Sequence, residues 1–231
     1  MFDAVRPWLD GERSLASLNR FAEKTRLRTE SGKAVRFVPP GAKDAYYELK
    51  VYRTGEVETR PDNLHDFFNA LAWLAFPRAK ARLNALHAAE IPREGGRRGR
   101  LRDLLTIFDE GGAIVQCDQP DLLSLLQAMQ WKELFWKRRE RLRHEMRIVV
   151  FGHAVMEQAL KPWPGITCKA IVVPASAQPD AQVCAWLGAL QPGASPRDLA
   201  PLPVFGFPGW LAQDEAFYDD TRYFRPLRPN S

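Results

Sequence analysis

Histidine is scarce in this chain, four in 231 residues, so the company each one keeps is informative. His65 and His87 both fall between Arg60 and His87, in the stretch RPDNLHDFFNALAWLAFPRAKARLNALH. His65 lies one helical turn from Asn69, and Lys80, Asn84 and His87 follow one another at helical spacing, so two adjoining helices would each carry a polar row. His153 and Glu157 form a further pair one turn apart. Imidazole ligates metals or relays protons, a carboxamide orients a donor and an acceptor together, and a carboxylate serves as ligand or base. The candidate catalytic residues are therefore His65, Asp66, Asn69, His87, Asp109, Glu110 and His153. His65, His87, His153 and Glu157 are the candidate ligands of a divalent metal. Asp66 can fix a histidine tautomer but should point away from His65 if both are mid-helix. Asp109 and Glu110 form an acidic pair at a helix C-terminus, where the macrodipole disfavours negative charge. Neither HExxH nor a CxxC pair occurs. The plainer account is that His65 and His87 are buried polar groups that hold the helices together, since such groups need partners for stability alone.

A second chemical feature is PREGGRRGRLR, with arginines 93, 97, 98, 100 and 102 among glycines. Glycine permits close backbone approach and guanidinium fits phosphate oxygens. Arg60, Lys80, Arg97, Arg98, Arg100 and Arg102 are thus the candidate anion-binding residues. Their spacing matches neither the Walker loop nor the dinucleotide fingerprint, and a solvated basic loop that binds nothing specific fits the same residues. The run KRRERLRHEMR interleaves arginine with Glu140 and Glu145, as an ordinary solvated helix face does.

The elements that would position these groups follow from periodicity. Leu64, Phe67, Phe68, Leu71, Leu74 and Ala75 make an apolar helical stripe, with Asp62 or Asn63 as its cap. Pro77 suits the first turn of the next helix, with Ala79, Leu83 and Leu86 as its apolar contacts. Phe2 to Leu9 reads as a docking element anchored by Trp8, and Glu12 to Arg28 as an amphipathic helix with Leu15, Leu18 and Ala22 inward. Ala34 to Val38 and Tyr46 to Val51 read as strands of a small antiparallel ribbon that turns at Thr54-Gly55 and returns at Val57 and Thr59. Helix is expected over 102–108, strand over 113–117 and helix over 120–129. The stretch 131–160 is strongly helical in composition, and Gly152 beside His153 implies close backbone approach or a site. Strand is expected over 166–173 and helix over 178–190. Prolines and aromatics then dominate 192–231, which reads as a strap over the core rather than disorder.

Length and composition bound the answer. The chain is 45% hydrophobic with a formal charge of +5, enough to bury a sizeable core and too mild to require nucleic acid. Cys117, Cys168 and Cys184 are odd in number and far apart, which favours reduced thiols over a disulfide framework. The N-terminus lacks an apolar run of signal-peptide length and no stretch is long enough to span a bilayer, so a cytoplasmic protein with no membrane partner is expected.

NLHDFFNALAWLAFPRAKARLNALH resembles the signature of a proteobacterial family of unknown function, DUF3025. The similarity extends through RDLLTIFDEGG (102–112), FGHAVMEQAL (151–160), PLPVFGFPGW and FYDDTRYFRP (201–226). The positions that match are His65, Asp66, Asn69, Lys80, Asn84, His87, Arg102, Asp103, Asp109, Glu110, Gly152, His153 and Glu157. The resemblance implies relatives without implying a reaction.

Together these features predict an α+β fold, mainly helical with a small, mostly antiparallel sheet, in a single compact domain over 1–231. The functional expectation is a hydrolase using a divalent metal on a phosphate-bearing small molecule or nucleic acid, with the arginines steering the anion. The alternative is a non-enzymatic nucleic-acid or protein-binding module, including a protein partner docked on the aromatic tail.

Overall fold

The computed structural model describes residues 1–9, 11–41, 46–95, 97–211 and 214–227. Its helices are α1 (Arg6–Leu9), α2 (Leu15–Lys24), α3 (Tyr47–Thr54), α4 (Leu64–Ala75), α5 (Pro77–Glu90), α6 (Arg100–Gly111), α7 (Pro120–Gln127), α8 (Arg139–Glu145), α9 (His153–Gln158) and α10 (Pro179–Ala189). The strands are β1 (Arg36–Val38), β2 (Glu56–Glu58), β3 (Gly112–Cys117), β4 (Met146–Val150), β5 (Cys168–Val173) and β6 (Ala200–Leu202). The fold is α+β and mainly helical, with a small sheet in the order β4-β3-β5-β6. In that sheet β3 runs antiparallel to β4 and parallel to β5, and β5 runs antiparallel to β6, so most of its pairings are antiparallel. Every residue of β3 is buried, as befits a strand covered on both faces.

The sheet and three helices, α4, α6 and α9, build the site. Strand β3 follows α6 directly, and its antiparallel pairing sets Ala113 opposite Val150. The end of β4 therefore lies beside the α6–β3 junction. Phe151 and Gly152 both donate their N–H to the carbonyl of Gly112, at 3.0 and 2.9 Å. A Cβ on Gly152 would stand 2.5 Å from the carbonyl oxygen of Glu110 and from the nitrogen of Gly112, so only glycine permits this approach. The contact carries His153, the first residue of α9, up against Asp109 and Glu110 in the last turn of α6.

Helix α4 starts where Asn63 accepts from the N–H of Asp66 at 2.9 Å, and its apolar face buries Phe67, Phe68, Leu71, Trp73 and Leu74. It packs on α9 as well as α5, which brings His65 toward His153. Pro77 opens α5, as its spacing predicts. The first turn of α5 is also capped from afar: Asp180 accepts from the N–H groups of Arg78 and Ala79 at 3.2 and 2.8 Å. Within the 192–231 segment, Phe205, Tyr218, Tyr223 and Phe224 join the buried core. The Tyr223 hydroxyl donates to the carbonyl of Ile166 at 2.8 Å, and the N–H of Phe205 donates to that hydroxyl at 2.9 Å.

Several expectations are corrected. Tyr46 to Val51 is not a strand, because Tyr47–Thr54 is helix α3, ended by Gly55 in the left-handed region. With a helix between them, β1 and β2 pair in parallel rather than as an antiparallel ribbon, since a crossover returns the chain in the same direction. The 131–160 stretch is helical only in part: a π-helical turn at Lys132–Lys137 and α8 end at Glu145, within the 143–147 run where charge interrupts the apolar stripe, and β4 follows, whose Ile148, Val149 and Val150 favour a strand beside β3. Val5, fully buried, anchors the N-terminal element rather than the half-buried Trp8. Asp109 and Glu110 lie inside the last turn of α6 instead of ending it at Phe108.

Gly152→Ala should lower stability by about 1–3 kcal/mol, the usual cost of forcing extra volume into a packed site. Urea denaturation of the purified variant measures it, and a change within error would contradict the close-approach account.

Candidate metal centre

His65, His153 and Glu110 converge from α4, α9 and α6. Their ligand-capable atoms all lie within 4.8 Å of one another. Nε2 of His65 is 3.1 Å from Nε2 of His153, and the Glu110 Oε2 is 3.4 Å from the latter and 3.8 Å from the former. Four-coordinate metals with bonds of about 2.0–2.2 Å hold adjacent ligand atoms about 3.3 Å apart, so these three atoms nearly trace one face of a tetrahedron. His153 is buried, whereas His65 and Glu110 are partly open to solvent. The centre thus has a protein-covered side and an accessible side.

Each imidazole has a carboxylate behind it. Nδ1 of His65 lies 3.1 Å from Glu157 Oε2. Nδ1 of His153 is buried without a hydrogen bond of ordinary geometry, and Asp109 Oδ2 stands 3.9 Å from it. A carboxylate at Nδ1 favours a proton there, which leaves Nε2 as a lone pair. With both rings in that tautomer, two nitrogen lone pairs and a carboxylate oxygen face one another with no donor among them. Such an arrangement repels unless a cation or a proton occupies it. Burial pushes the His153 pKa down to about 4 despite the opposing charge of Asp109, so the ring is neutral, the metal-binding form, at neutral pH. Burial and the charge of Asp109 raise Glu110 above the ordinary carboxylate value.

Behind these groups is a layer of polar side chains. Lys80, 3% exposed, donates to Asp109 Oδ1 at 2.6 Å and Asn69 Oδ1 at 2.9 Å, with its ammonium 5.6 Å from the Trp73 ring centroid. Burial alone would raise Asp109, but Lys80 holds its carboxyl below the usual value. Asn84 donates to the backbone oxygen of Glu48 at 3.0 Å and to its carboxylate at 2.5 Å. Burial first, and then the charge of Asp109, pushes Glu48 up to about 7. Tyr47, Glu48, Asn69, Lys80, Asn84 and Asp109 help to line a cavity of about 20 Å³, room for a single water.

The remaining candidates lie elsewhere. Asp66 turns from His65 and is held by the N–H, Nε and Nη2 of Arg60, at 2.8, 2.8 and 2.9 Å. His87 lies outside the His65–Glu110–His153 group, where its Nδ1 accepts from Arg102 Nε at 3.4 Å, and burial lowers its pKa to about 4. Glu157 supports His65 across the α4–α9 interface instead of pairing with His153 on its own helix. Most of the cationic candidates are engaged: Arg60 with Asp66, Lys80 with Asp109, Arg98 with Asp103 at 2.9 Å, Arg102 with Glu94 at 2.6 Å. Arg97 and Arg100 are exposed and have no ion pair among the described residues. Sequence reasoning missed Glu48 and Tyr47, because a strand there would have left Glu48 with no reason to meet Asn84.

The family model described as "Protein of unknown function (DUF3025)" matches residues 35–228. The chain belongs to that family. The match includes every residue of the centre and of the polar layer behind it, and leaves out α1 and α2. No curated protein and no solved structure matches the chain. Among the described residues, no helix is long and apolar enough to cross a membrane.

Glu48 generates a pH prediction. Its folded value of about 7 lies above the ordinary 4.5, so its ionisation between those limits costs folding stability, and the contribution present in acid is lost by neutral pH. Glu48→Gln cannot ionise, so the difference in Tm, variant minus wild type, should increase from pH 5 to pH 8. Thermal denaturation across that range checks it, and a constant or shrinking difference would contradict the burial of this carboxyl.

Proposed function

We propose that the protein is a metal-dependent hydrolase, with His65, His153 and Glu110 as the ligands of one divalent cation. The observation that carries this reading is the convergence of three ligand-capable atoms, from His65, His153 and Glu110, within 4.8 Å of one another, with a carboxylate on the Nδ1 side of each imidazole. Two histidines and a glutamate are a ligand set suited to zinc with an open position, and one side of this group is open. A divalent metal held there would lower the pKa of water and polarise the bond to be cleaved. The chain's own residues do the rest. Glu157, at hydrogen-bond distance from Nδ1 of His65, and the charge of Asp109, 3.9 Å from Nδ1 of His153, both favour the tautomer with Nε2 free, and the protein around His153 excludes water from one side. Glu157, 3.1 Å from Nδ1 of His65 and 38% exposed in its side chain, backs that ring from the side away from Nε2.

A phosphate-bearing substrate is supported by the net charge of +5 and by Arg97 and Arg100. Arg100 begins α6 and Glu110 stands near its end, so about 15 Å of helix separates them at about 1.5 Å per residue. Such arginines reach a phosphate remote from the cleaved bond, which favours an extended substrate such as a nucleic acid over a small phosphorylated molecule. The engagement of Arg98 and Arg102 with acids weighs against a purely electrostatic binding module.

The protein purified without a histidine tag should bind about one zinc per chain, measured by elemental analysis after dialysis. His65→Ala and His153→Ala should each lower zinc affinity at least about 100-fold and abolish zinc-dependent cleavage in a panel of phosphodiester, phosphomonoester, ester and amide substrates. No zinc in the wild type would overturn the metal centre. Zinc binding with no turnover across the panel would overturn the hydrolase and leave a metal-bearing binding protein.

A further inference from the structure

Lys80 presents a problem that anion binding does not solve. A charged ammonium buried this deeply is costly unless it is fully paired, and it cannot reach a ligand in solvent. Both of its partners lie inside the protein, the Asp109 carboxylate and the Asn69 carboxamide. Asn69 is one turn beyond His65 on α4, Asp109 immediately precedes Glu110 on α6, and Lys80 lies on α5. One ammonium therefore ties together the two helices that supply His65 and Glu110, and grips the carboxylate that faces His153.

The two imidazole supports differ in kind. Glu157 approaches Nδ1 of His65 within 3.1 Å, but its side chain is 38% exposed and no cation pairs with it among the described residues. Asp109 is 15% exposed, one oxygen held by Lys80 at 2.6 Å and the other facing Nδ1 of His153 at 3.9 Å. That Nδ1 is buried without a hydrogen bond of ordinary geometry, so the negative charge beside it is what favours a proton there. Left to itself, Asp109 would be repelled by Glu110 beside it and by Glu48 behind it. Lys80 is the charge that keeps it in place.

We propose that Lys80 and Asn69 are positioning residues for the metal centre: they clamp Asp109 so that its second oxygen selects the Nδ1–H tautomer of His153 and presents the Nε2 lone pair to the metal. The inference rests on the metal-centre reading above. His153 is then the fixed ligand and His65 the adjustable one. Outer carboxylates of this kind raise the basicity of the imidazole and set its orientation, and their loss costs metal affinity about 10–100-fold.

The test uses the full chain with zinc as the probe, its affinity read by competition with a chromophoric chelator and its folding by thermal denaturation. Lys80→Met alone strands a buried carboxylate and can fail to fold, so the decisive protein is Lys80→Met/Asp109→Asn, which removes both charges together. Its Tm should return toward the wild-type value while its zinc affinity stays about 10-fold or more weaker, because an amide is a poorer acceptor and can present either face to the ring. Glu157→Gln should weaken zinc binding less than Asp109→Asn does. Long-range 1H–15N spectra of the zinc-loaded wild type should show His153 protonated at Nδ1, and a mixed signal in the double variant. A double variant that is folded and binds zinc as tightly as wild type overturns the positioning role and leaves the metal centre standing. A wild type that binds no zinc overturns both.

Discussion

Two amide groups, those of Phe151 and Gly152, share the single carbonyl of Gly112, and the rest of the site hangs on that contact. It is possible only because β4 runs antiparallel beside β3, and because Gly152 has no side chain to collide with the end of α6. A helix end that would otherwise face solvent is thereby covered by another chain segment. The negative charges of Asp109 and Glu110, unfavourable at a helix C-terminus, find compensation in Lys80 and in the imidazoles rather than in water. The acidic pair is thus tolerated through tertiary partners from α4, α5 and α9.

Charge balance explains why this polar layer is so crowded. Asp109, Glu110 and Glu48 bring three carboxyl groups close to one buried ammonium. Asp109 stays ionised because Lys80 is 2.6 Å away, while Glu48 and Glu110 are raised by burial and by the charge of Asp109. A divalent cation among His65, His153 and Glu110 would relieve part of that repulsion, since it adds positive charge where the carboxylates accumulate. The basic side chains nearest the centre are already paired, Lys80 with Asp109 and Arg102 with Glu94.

The C-terminal aromatics work at a distance from this chemistry. Tyr223 and Phe205 tie the chain end to Ile166, next to the start of β5, which is the parallel neighbour of β3. Gly206 permits the same segment to lie against the rings of Phe135 and Phe224. This packing braces the far side of the sheet from which β3 leads back to the α6 junction.

The amino-acid sequence alone determined the helices of the organising stretch, the proline start of α5, the close approach at Gly152 and the family. Each of these depends on local spacing or on one residue's backbone freedom. Residue type also singled out His65 and His153 as candidate ligands and Glu110 as a candidate catalytic group, though in company with His87, Glu157, Asp66, Asn69 and Asp109. Only the tertiary structure decided between them, because helical periodicity fixes which face a side chain occupies and not what that face meets. His87 shares a row with Lys80 and Asn84, yet it meets Arg102. Asp66 follows His65, yet it turns to Arg60. Glu157 looked like a partner of His153 at one-turn spacing, but α4 packs on α9 and delivers His65 to it instead. Tyr47 to Thr54 became a helix against its β-like alternation because burial of Val51 and the Gly55 stop outweigh a weak local preference, and that choice set Glu48 beside Asn84. Long-range packing energies of this kind come from residues tens of positions apart, so no local pattern records them.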